Sequence, residues 1–336
     1  MRYSLLLCLL PTSLFADSTV LAHSYGTTEI NTPPARIVSV GYHEQDFLYA
    51  LGLAPVGVHE WFGGRPYATW SWAEEARVAV GATPDVQRGF EIDLEWVWQQ
   101  KPDLIVATFA PLDSATYEKL SKIAPVIAAP AGYDDWTAPW QDELRLIAAA
   151  TGRTAQGETV IAQVESTVTQ LTKIYPEFAA LKASSAKDTQ AESAVVYVSG
   201  TELVGYSSGD GANRMLSALG LTTPAEFDEL ATEAGSFSVS LERIDLFDRD
   251  VTLWLTEDDG RTLIENLPAY RESGLAREQR SVWANEEEMG AMSFQTPLSI
   301  PWVAKRLAPR LALALSGSAN RNVKDTDGAV TAPSQD

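Results

Sequence analysis

A long helical stripe in the middle of the chain most constrains the fold. In residues 155–175, AQGETVIAQVESTVTQLTKIY, apolar side chains recur every three or four positions. Such spacing places them on one face of a helix about 30 Å long, at about 1.5 Å per residue. Thr154 is the predicted N-cap, and Pro176 follows near the helix end. A helix of this length is able to connect two lobes. The apolar positions are Val160, Val164, Val168, Leu171 and Ile174.

Alternating strand and helix patterns lie on both sides of this stripe. Strand-like runs before it are RIVSV (36–40), APVGVHEW (54–61), DLIVAT (103–108) and APVIAAP (124–130), with helical patterns at 44–51, 117–123 and 140–151. Those after it are AVVYVS (194–199), VTLWL (251–255) and SVWA (281–284), with helical patterns at 213–221 and 241–247. This alternation is typical of parallel α/β sheets. We therefore predict two parallel-sheet α/β lobes joined by one long α-helix, with a ligand cleft between the lobes.

The N-terminus has the pattern of an export signal. Arg2 is followed by LLLCLL, which is too short to span a bilayer, and VLA or LFA supplies a cleavage site. Cys8 is the only cysteine, so disulfides within the chain are excluded, and lipidation of Cys8 is an alternative to cleavage at VLA or LFA. We expect a soluble protein exported to the periplasm. The predicted boundaries are a signal peptide at 1–22, an N-terminal lobe at 23–152, a linker helix at 153–181, a C-terminal lobe at 182–318 and a disordered tail at 319–336.

Charge and glycine patterns limit the partners. The net charge is −20 and no cluster of Lys or Arg is present, so a nucleic-acid partner is excluded. Neither G-x-G-x-x-G nor a P-loop pattern occurs. We expect a monomer without a resident cofactor.

Two short motifs raise enzymatic or metal-binding alternatives. GYSSG (205–209) matches the nucleophile elbow of esterases, with Ser207 as the nucleophile. The elbow expects a downstream histidine, whereas His23, His43 and His59 all precede Ser207. His43 and His59, each followed by a glutamate, have no familiar metal-ligand spacing. A glycine-rich turn and polar loop residues explain these motifs more simply, but a serine esterase remains an alternative.

Aromatic residues in loops indicate a binding surface. EWFGGRPYATWSWAEEA (60–76) follows a predicted strand, and one core face cannot bury all its rings. Ligands of open α/β sheets bind beyond the carboxyl ends of the strands, where these rings are able to converge. The candidate aromatic residues are Trp61, Tyr67, Trp70, Trp72, Phe109, Trp136, Tyr206 and Phe294.

One phrase occurs in both halves of the chain. Leu94-Glu95 and Leu241-Glu242 each open a helical pattern, and an aspartate, Asp103 or Asp250, stands nine positions after each leucine. A strand-like run follows in both cases. The repeat supports two related lobes, and a carboxylate at a helix start is favoured by the helix dipole.

The sequence resembles a known family in several segments. They include PPARIVSVGYHEQDFLYALGLAPVGVHEWFGGRPYATWSWAEEA, LEWVWQQKPDLIVATF, YEKLSKIAPVIA and MSFQTPLSIPWVAKRLAPRLALAL. From about residue 33 to 316 the chain is similar to iron-siderophore substrate-binding proteins of ABC importers, of the helical-backbone class that includes ferrichrome- and vitamin B12-binding proteins.

The resemblance implies a function and a set of contacts. A non-enzymatic periplasmic receptor would hold a ferric siderophore between its lobes, and a haem or cobalamin receptor is the alternative on the same fold. Arg65, Arg214 and Arg261 are candidates to meet an anionic chelate. The resemblance also implies that Glu95 and Glu242 dock against the ABC permease dimer in the inner membrane.

Overall fold

The computed structural model describes residues 18–316, except 134–135, 184–189, 233–234 and 258. The predicted tail at 319–336 and most of the predicted signal peptide, with Cys8, lie outside the described residues. Among the residues described, no helix is both long enough and apolar enough to cross a membrane.

The N-terminal lobe is a parallel five-stranded sheet with strand order β5-β4-β3-β6-β7. β3, β4, β6 and β7 are buried throughout, which explains their continuous apolar runs. The strands are β3 (Ile37–Ser39), β4 (Gly57–His59), β5 (Asp85–Gln87), β6 (Leu104–Ala107) and β7 (Val126–Ala128). The helices are α1 (Glu44–Ala50), α2 (Ser71–Ala79), α3 (Leu94–Gln99), α4 (Ser114–Leu120) and α5 (Trp140–Ala150), with a short 3₁₀ helix at Pro66–Ala68.

A hairpin at the N-terminus packs onto this lobe. Strand β1 (Thr19–His23) pairs antiparallel with β2 (Gly26–Ile30). The hairpin is attached at β7, because the Thr28 hydroxyl donates to the Val126 carbonyl at 2.6 Å. Leu21 is buried in the main core. β1 ends at His23, so most of this strand falls within the segment predicted as a signal peptide, 1–22.

The predicted connecting helix is α6 (Thr154–Ile174), 21 residues long. Val160, Val164, Val168 and Leu171 are buried, as the stripe predicts. Two details differ. Arg153 occupies the N-cap, so Thr154 is the first helical residue. Ile174 is 60% exposed, because the helix ends there and the chain turns into α7 (Pro176–Ala183).

The C-terminal lobe has a mixed sheet with order β10-β9-β8-β11-β12. β8, β11 and β12 are parallel, whereas β9 and β10 run antiparallel to their neighbours. The strands are β8 (Ser193–Ser199), β9 (Glu202–Tyr206), β10 (Ser236–Ser240), β11 (Val251–Leu255) and β12 (Ser281–Ala284). The helices are α8 (Gly211–Leu219), α9 (Ala225–Leu230), α10 (Gly260–Asn266), α11 (Pro268–Glu272), α12 (Gly274–Arg277), α13 (Glu286–Phe294) and α14 (Ser299–Leu315), with a 3₁₀ helix at Leu241–Phe247.

The repeated phrase has the same structural role in both lobes. The Asp103 carboxylate accepts the backbone N–H groups of Ala35 and Arg36, both at 2.8 Å. The Asp250 carboxylate accepts the N–H of Glu192 at 2.8 Å. Each aspartate directly precedes an inner strand, β6 or β11, and fastens the chain that enters the neighbouring central strand, β3 or β8. The aspartates thus help set strand register.

One apolar core runs through both lobes. Its buried residues come from α1 and α5 of the first lobe, from α6, and from α8, α13 and α14 of the second. Polar contacts add to this core, since the Thr296 hydroxyl donates to the Asp46 carboxylate at 2.7 Å. The lobes are therefore connected at two places, by α6 and by the α13–α14 region, and α14 packs against α6.

Candidate functional site

A cavity of about 740 Å³ lies between the two lobes. Residues at the start of α1, along α5 and after β4 and β6 form one wall, and residues of α8 and α13 form the other, while α6 contributes to the floor. This is the cleft that the fold prediction places between the lobes. The lining side chains used below are Tyr42, His43, Trp61, Phe90, Phe109, Trp136, Glu143, Glu165, Lys182, Tyr206, Asp210, Arg214, Ser293 and Phe294.

Aromatic rings form much of the wall. Tyr42 is nearly parallel to Trp61, with ring centroids 5.6 Å apart, and to Trp136, at 6.0 Å. Phe109 contacts Trp136 edge to face at 4.7 Å. Trp136 is 37% exposed and has a positive φ of 68°, an uncommon conformation for a residue other than glycine. These rings offer flat apolar faces to a ligand.

The structure brings part of the predicted aromatic set together. Of the predicted ligand residues, five aromatic ones and one arginine line the cavity: Trp61, Phe109, Trp136, Tyr206, Phe294 and Arg214. Burial raises the pKa of the Tyr206 hydroxyl, so it remains a neutral hydrogen-bonding group near pH 7. The remaining candidates, Arg65, Tyr67, Trp70, Trp72 and Arg261, lie outside the cavity lining.

Trp70 and Trp72 belong to the core. Their rings stack with centroids 5.1 Å apart, and they are only 2% and 7% exposed. The Trp72 indole N–H donates to the Asp46 carboxylate at 2.7 Å. Gly63 turns the loop over Trp70 with a positive φ of 96°, and a Cβ there would lie 2.5 Å from that ring. This turn separates Trp61, at the cavity, from Trp70, behind it.

The arginine and tyrosine candidates outside the cavity have partners elsewhere. Arg65 lies over the Trp70 ring and forms ion pairs with Glu286 at 2.8 Å and Glu287 at 3.0 Å, on the opposite lobe. Tyr67 packs against the Arg77 guanidinium. Arg261 pairs with Glu265 on α10 and lies over Trp283.

A buried histidine at the start of α1 joins the two lobes in the cavity wall. The His43 Nδ1–H donates to the Phe294 carbonyl at 2.6 Å, and Nε2 lies 3.1 Å from the Glu143 carboxylate. Burial lowers the pKa of His43, but Glu143 and Glu44 outweigh this effect, so the pKa is raised. His43 also stacks on Phe109, with centroids 4.1 Å apart.

Glu44 lies behind His43 and fixes the loop after β6. Its carboxylate accepts the Phe109 N–H at 2.8 Å and lies 3.4 Å from the Thr108 hydroxyl. Burial raises the Glu44 pKa, although His43 and the Phe109 N–H act to lower it. The carboxylate therefore positions Phe109 at the cavity.

Arg214 and Asp210 occupy the second lobe's side of the cavity. Asp210 is the N-cap of α8 and accepts the Ala212 N–H at 2.8 Å. Burial raises the Asp210 pKa to about 6, although hydrogen bonds and Arg214 act to lower it. The Arg214 guanidinium donates to the Thr137 carbonyl and so connects α8 to the first lobe.

Several cavity residues were missed from the sequence. Tyr42 and His43 follow the carboxyl end of β3. Because ligands of α/β sheets bind beyond the carboxyl ends of strands, this position was a usable signal. Phe90 lies similarly after β5. Glu143 and Asp210 carry no such signal, because a helix carboxylate or an N-cap aspartate has the same sequence pattern wherever the helix lies.

Glu95 and Glu242 lie away from the cavity lining, and both side chains are exposed. Glu95 is in the first turn of α3, and its carboxylate accepts from the Gln99 side chain at 3.3 Å. Glu242 is in the first turn of the 3₁₀ helix Leu241–Phe247. Each therefore stands on the surface of its own lobe at a helix start.

The histidine-based alternatives have no support in the geometry. Both ring nitrogens of all three histidines already contact other groups: Thr28 and the Tyr25 N–H for His23, Glu143 and Phe294 for His43, Val40 and Gly89 for His59. Ser207 therefore lacks a histidine base. Among the residues described, no group of His, Cys, Asp and Glu is arranged to hold a metal ion.

Two lobes, a connecting helix and an interlobe aromatic cavity define a two-lobed ligand-binding protein. The family model for periplasmic binding proteins matches residues 37–272, and the chain belongs to that family. This confirms the family resemblance and agrees with the predicted periplasmic location.

Individual relatives agree with this assignment. A periplasmic solute-binding protein from Mycobacterium smegmatis is 32% identical, with a TM-score of 0.76, over 89% of this chain and 99% of that structure. Streptococcus pneumoniae PiaA, solved with ferrichrome, is 22% identical with a TM-score of 0.76 over 89% of this chain and 99% of that one, which shows the common fold. The probable siderophore-binding lipoprotein YfiY of Bacillus subtilis is 29% identical over 150 residues, which span 44% of this chain and only 43% of that relative.

Proposed function

We propose that this protein is a non-enzymatic receptor that captures a ferric siderophore in the interlobe cavity and delivers it to an ABC importer. The observation that carries the proposal is the aromatic cavity between two lobes of a periplasmic binding protein. Its size suits a chelate with an apolar organic shell, since ligand pockets typically measure about 300–1,000 Å³. The name of the siderophore-binding relative YfiY and the ferrichrome bound in the PiaA structure support the same ligand class.

The first experiment is a fluorescence titration of the purified protein. Ferric hydroxamate, catecholate and carboxylate chelates are added separately, and haem and cyanocobalamin represent the alternative receptor functions. Trp61 and Trp136 at the cavity lead us to expect saturable quenching by at least one ferric chelate, with submicromolar affinity, about −8 kcal/mol or stronger. Tighter binding of haem or cyanocobalamin than of every ferric chelate would contradict the proposal.

Delivery is assigned to Glu95 and Glu242. Exposed carboxylates on both lobes are suited to pair with basic groups on a two-fold permease, where charge pairs set orientation and association rate. Neither side chain lines the cavity. Glu95→Ala and Glu242→Ala should therefore reduce uptake without changing chelate affinity, and the double variant should be more severe.

The test is uptake of iron-loaded chelate by proteoliposomes that contain the cognate permease. Glu118→Ala, which removes an exposed glutamate on α4, is the matched control. Normal uptake by the double variant would refute the docking role. Loss of chelate binding in these variants would instead refute the claim that Glu95 and Glu242 act in docking and not in ligand binding.

A further inference from the structure

Carboxylates outnumber the permanent cations that line the cavity. In the part of the chain that the structure describes, the lining has Glu143, Glu165 and Asp210 against Lys182 and Arg214, while His43 is paired with Glu143. Even with His43 protonated, these groups give no net positive charge. The protein as a whole carries −20, so the surrounding field is also negative.

Arg214 supplies a hydrogen-bond donor at the cavity, but nearby carboxylates balance most of its positive charge. It already donates to the Thr137 carbonyl. Burial lowers the Arg214 pKa, and nearby carboxylates, first Asp210 and then Glu143, act in the opposite direction. The charge of Arg214 is thus largely balanced by acidic neighbours.

The other cations are poorly placed to attract an anion into the cavity. Lys182 on α7 and Glu165 on α6 are both exposed, so solvent and salt screen their charges alike. The less exposed charges of the lining are Glu143 and Asp210 against Arg214. Arg65 and Arg261 lie outside the lining and form ion pairs with glutamates. The expectation that Arg65 meets an anionic chelate therefore has no support in its placement.

This charge pattern separates the chemical classes of ferric chelate. A ferric tris-catecholate is triply anionic, so its burial among carboxylates would combine desolvation with repulsion. A ferric trihydroxamate is uncharged, and an amino group on it makes it a cation. Uncharged and cationic chelates suit an aromatic wall, since ring faces attract cations.

We propose that the cavity selects uncharged or cationic ferric trihydroxamates and rejects anionic ferric catecholates. This inference rests on the proposed function and names the ligand class of the same site. Selectivity here comes from the carboxylates beside the aromatic wall, with Asp210 on the second lobe and Glu143 on the first.

Calorimetric titration at pH 7.5 and low salt tests this selectivity with three probes. Ferrioxamine B is a cationic trihydroxamate, its N-acetylated form is the uncharged analogue of the same chelate, and ferric enterobactin is the triply anionic catecholate. We expect both ferrioxamines to bind at least about tenfold more tightly than ferric enterobactin, a difference of about 1.4 kcal/mol or more.

Asp210→Asn tests the charge directly, because asparagine also serves as an N-cap and so preserves the start of α8. We expect this variant to reduce the preference for ferrioxamine B over ferric enterobactin severalfold. Asp113→Asn makes the same exchange at the N-cap of α4, outside the cavity lining, and should leave the preference unchanged.

The outcomes separate this inference from the proposed function. Equal or tighter binding of ferric enterobactin would overturn the inference but leave ferric-chelate capture intact. An unchanged preference in Asp210→Asn would overturn the role of that carboxylate. Failure of all three probes to bind would overturn the inference, and the carboxylate chelate, haem and cyanocobalamin of the fluorescence titration would then decide the proposed function.

Discussion

The His43 side chain lines the cavity, contacts the buried Glu143 carboxylate of its own lobe and donates to the Phe294 carbonyl of the other lobe. Its raised pKa means that the folded protein retains a proton there that the unfolded chain releases near pH 6.5. The stabilising contribution is fully present below that pH and is lost as pH rises through the folded pKa. Burial also raises the pKa of Glu44, and that of Asp46 to about 6, which gives the same direction of change.

We therefore predict that the free energy of unfolding falls as pH rises from about 6.5 through the folded pKa of His43. Denaturant unfolding across this range should show a weaker pH dependence in His43→Gln. His23→Gln is the control, since burial lowers the His23 pKa and its contribution is lost only as pH falls. A wild-type protein that gains stability on alkalinisation would contradict the His43–Glu143 account.

Arg65 is placed to connect the lobes. We predict that Arg65→Ala lowers the free energy of unfolding by about 1–2 kcal/mol, through partly exposed ion pairs and the contact with Trp70. Chelate affinity should change by less than twofold, the limit that distinguishes a surface role from ligand contact. A tenfold loss of chelate affinity in Arg65→Ala would show that the ligand-binding cavity of the protein in solution extends to Arg65.

The sequence predicts that a ligand site exists better than it predicts which residues belong to that site. Trp61 and Trp70 occur in the same aromatic loop, and composition does not distinguish them. The turn at Gly63 places one ring at the cavity and the other in the core. Which ring faces the ligand is therefore decided by tertiary packing.

At the scale of elements, the backbone contacts of Asp103 and Asp250 account for the aspartate of the repeated phrase. We predict that Asp103→Ala and Asp250→Ala each lower the free energy of unfolding by about 1 kcal/mol, because backbone N–H groups lose a charged acceptor. Asp259→Ala is the matched control, since this exposed N-cap of α10 makes no side-chain cap hydrogen bond. Equal effects of all three changes in urea unfolding would refute the proposed role in register.

The placement of β1 favours one of the two predicted cleavage sites. Cleavage after Ala22 would remove most of a strand whose Leu21 is in the core. We therefore propose that an exported chain cleaved by signal peptidase begins at Asp17. The intact mass of protein recovered from the periplasm measures this directly, and a chain that begins at His23 would contradict it.

The parallel strands and α6 were predictable because buried runs and a helical stripe are strong local signals. The antiparallel β9 and β10 were missed. No strand is predicted from the sequence between AVVYVS and the helical pattern at 213–221, whereas Gly200, with φ of 58°, lies in a hairpin turn and β9 folds back on β8. β5 (Asp85–Gln87) was missed because it is only partly buried and has no apolar run, unlike the equally short β3, β4 and β7.

At the scale of the whole molecule, the two connections between the lobes predict a small conformational response. The core continues through α6 and the α13–α14 region, and packed helices resist hinge bending. We expect the radius of gyration from small-angle scattering to stay within experimental error when a saturating ferric chelate is added. A clear compaction would indicate that the contact between Asp46 and Thr296 opens in the free protein.

The central claim is that the interlobe cavity holds a ferric chelate, and a cavity-filling variant tests it most directly. Ser293 is a small residue on α13 that lines the cavity, so Ser293→Trp should occupy the ligand space. Equilibrium dialysis of ferrioxamine B, followed by its iron absorbance, should give one bound chelate per wild-type protein and at least about a tenfold weaker affinity, about 1.4 kcal/mol, for a folded Ser293→Trp variant. Equal binding by the two proteins would contradict the account.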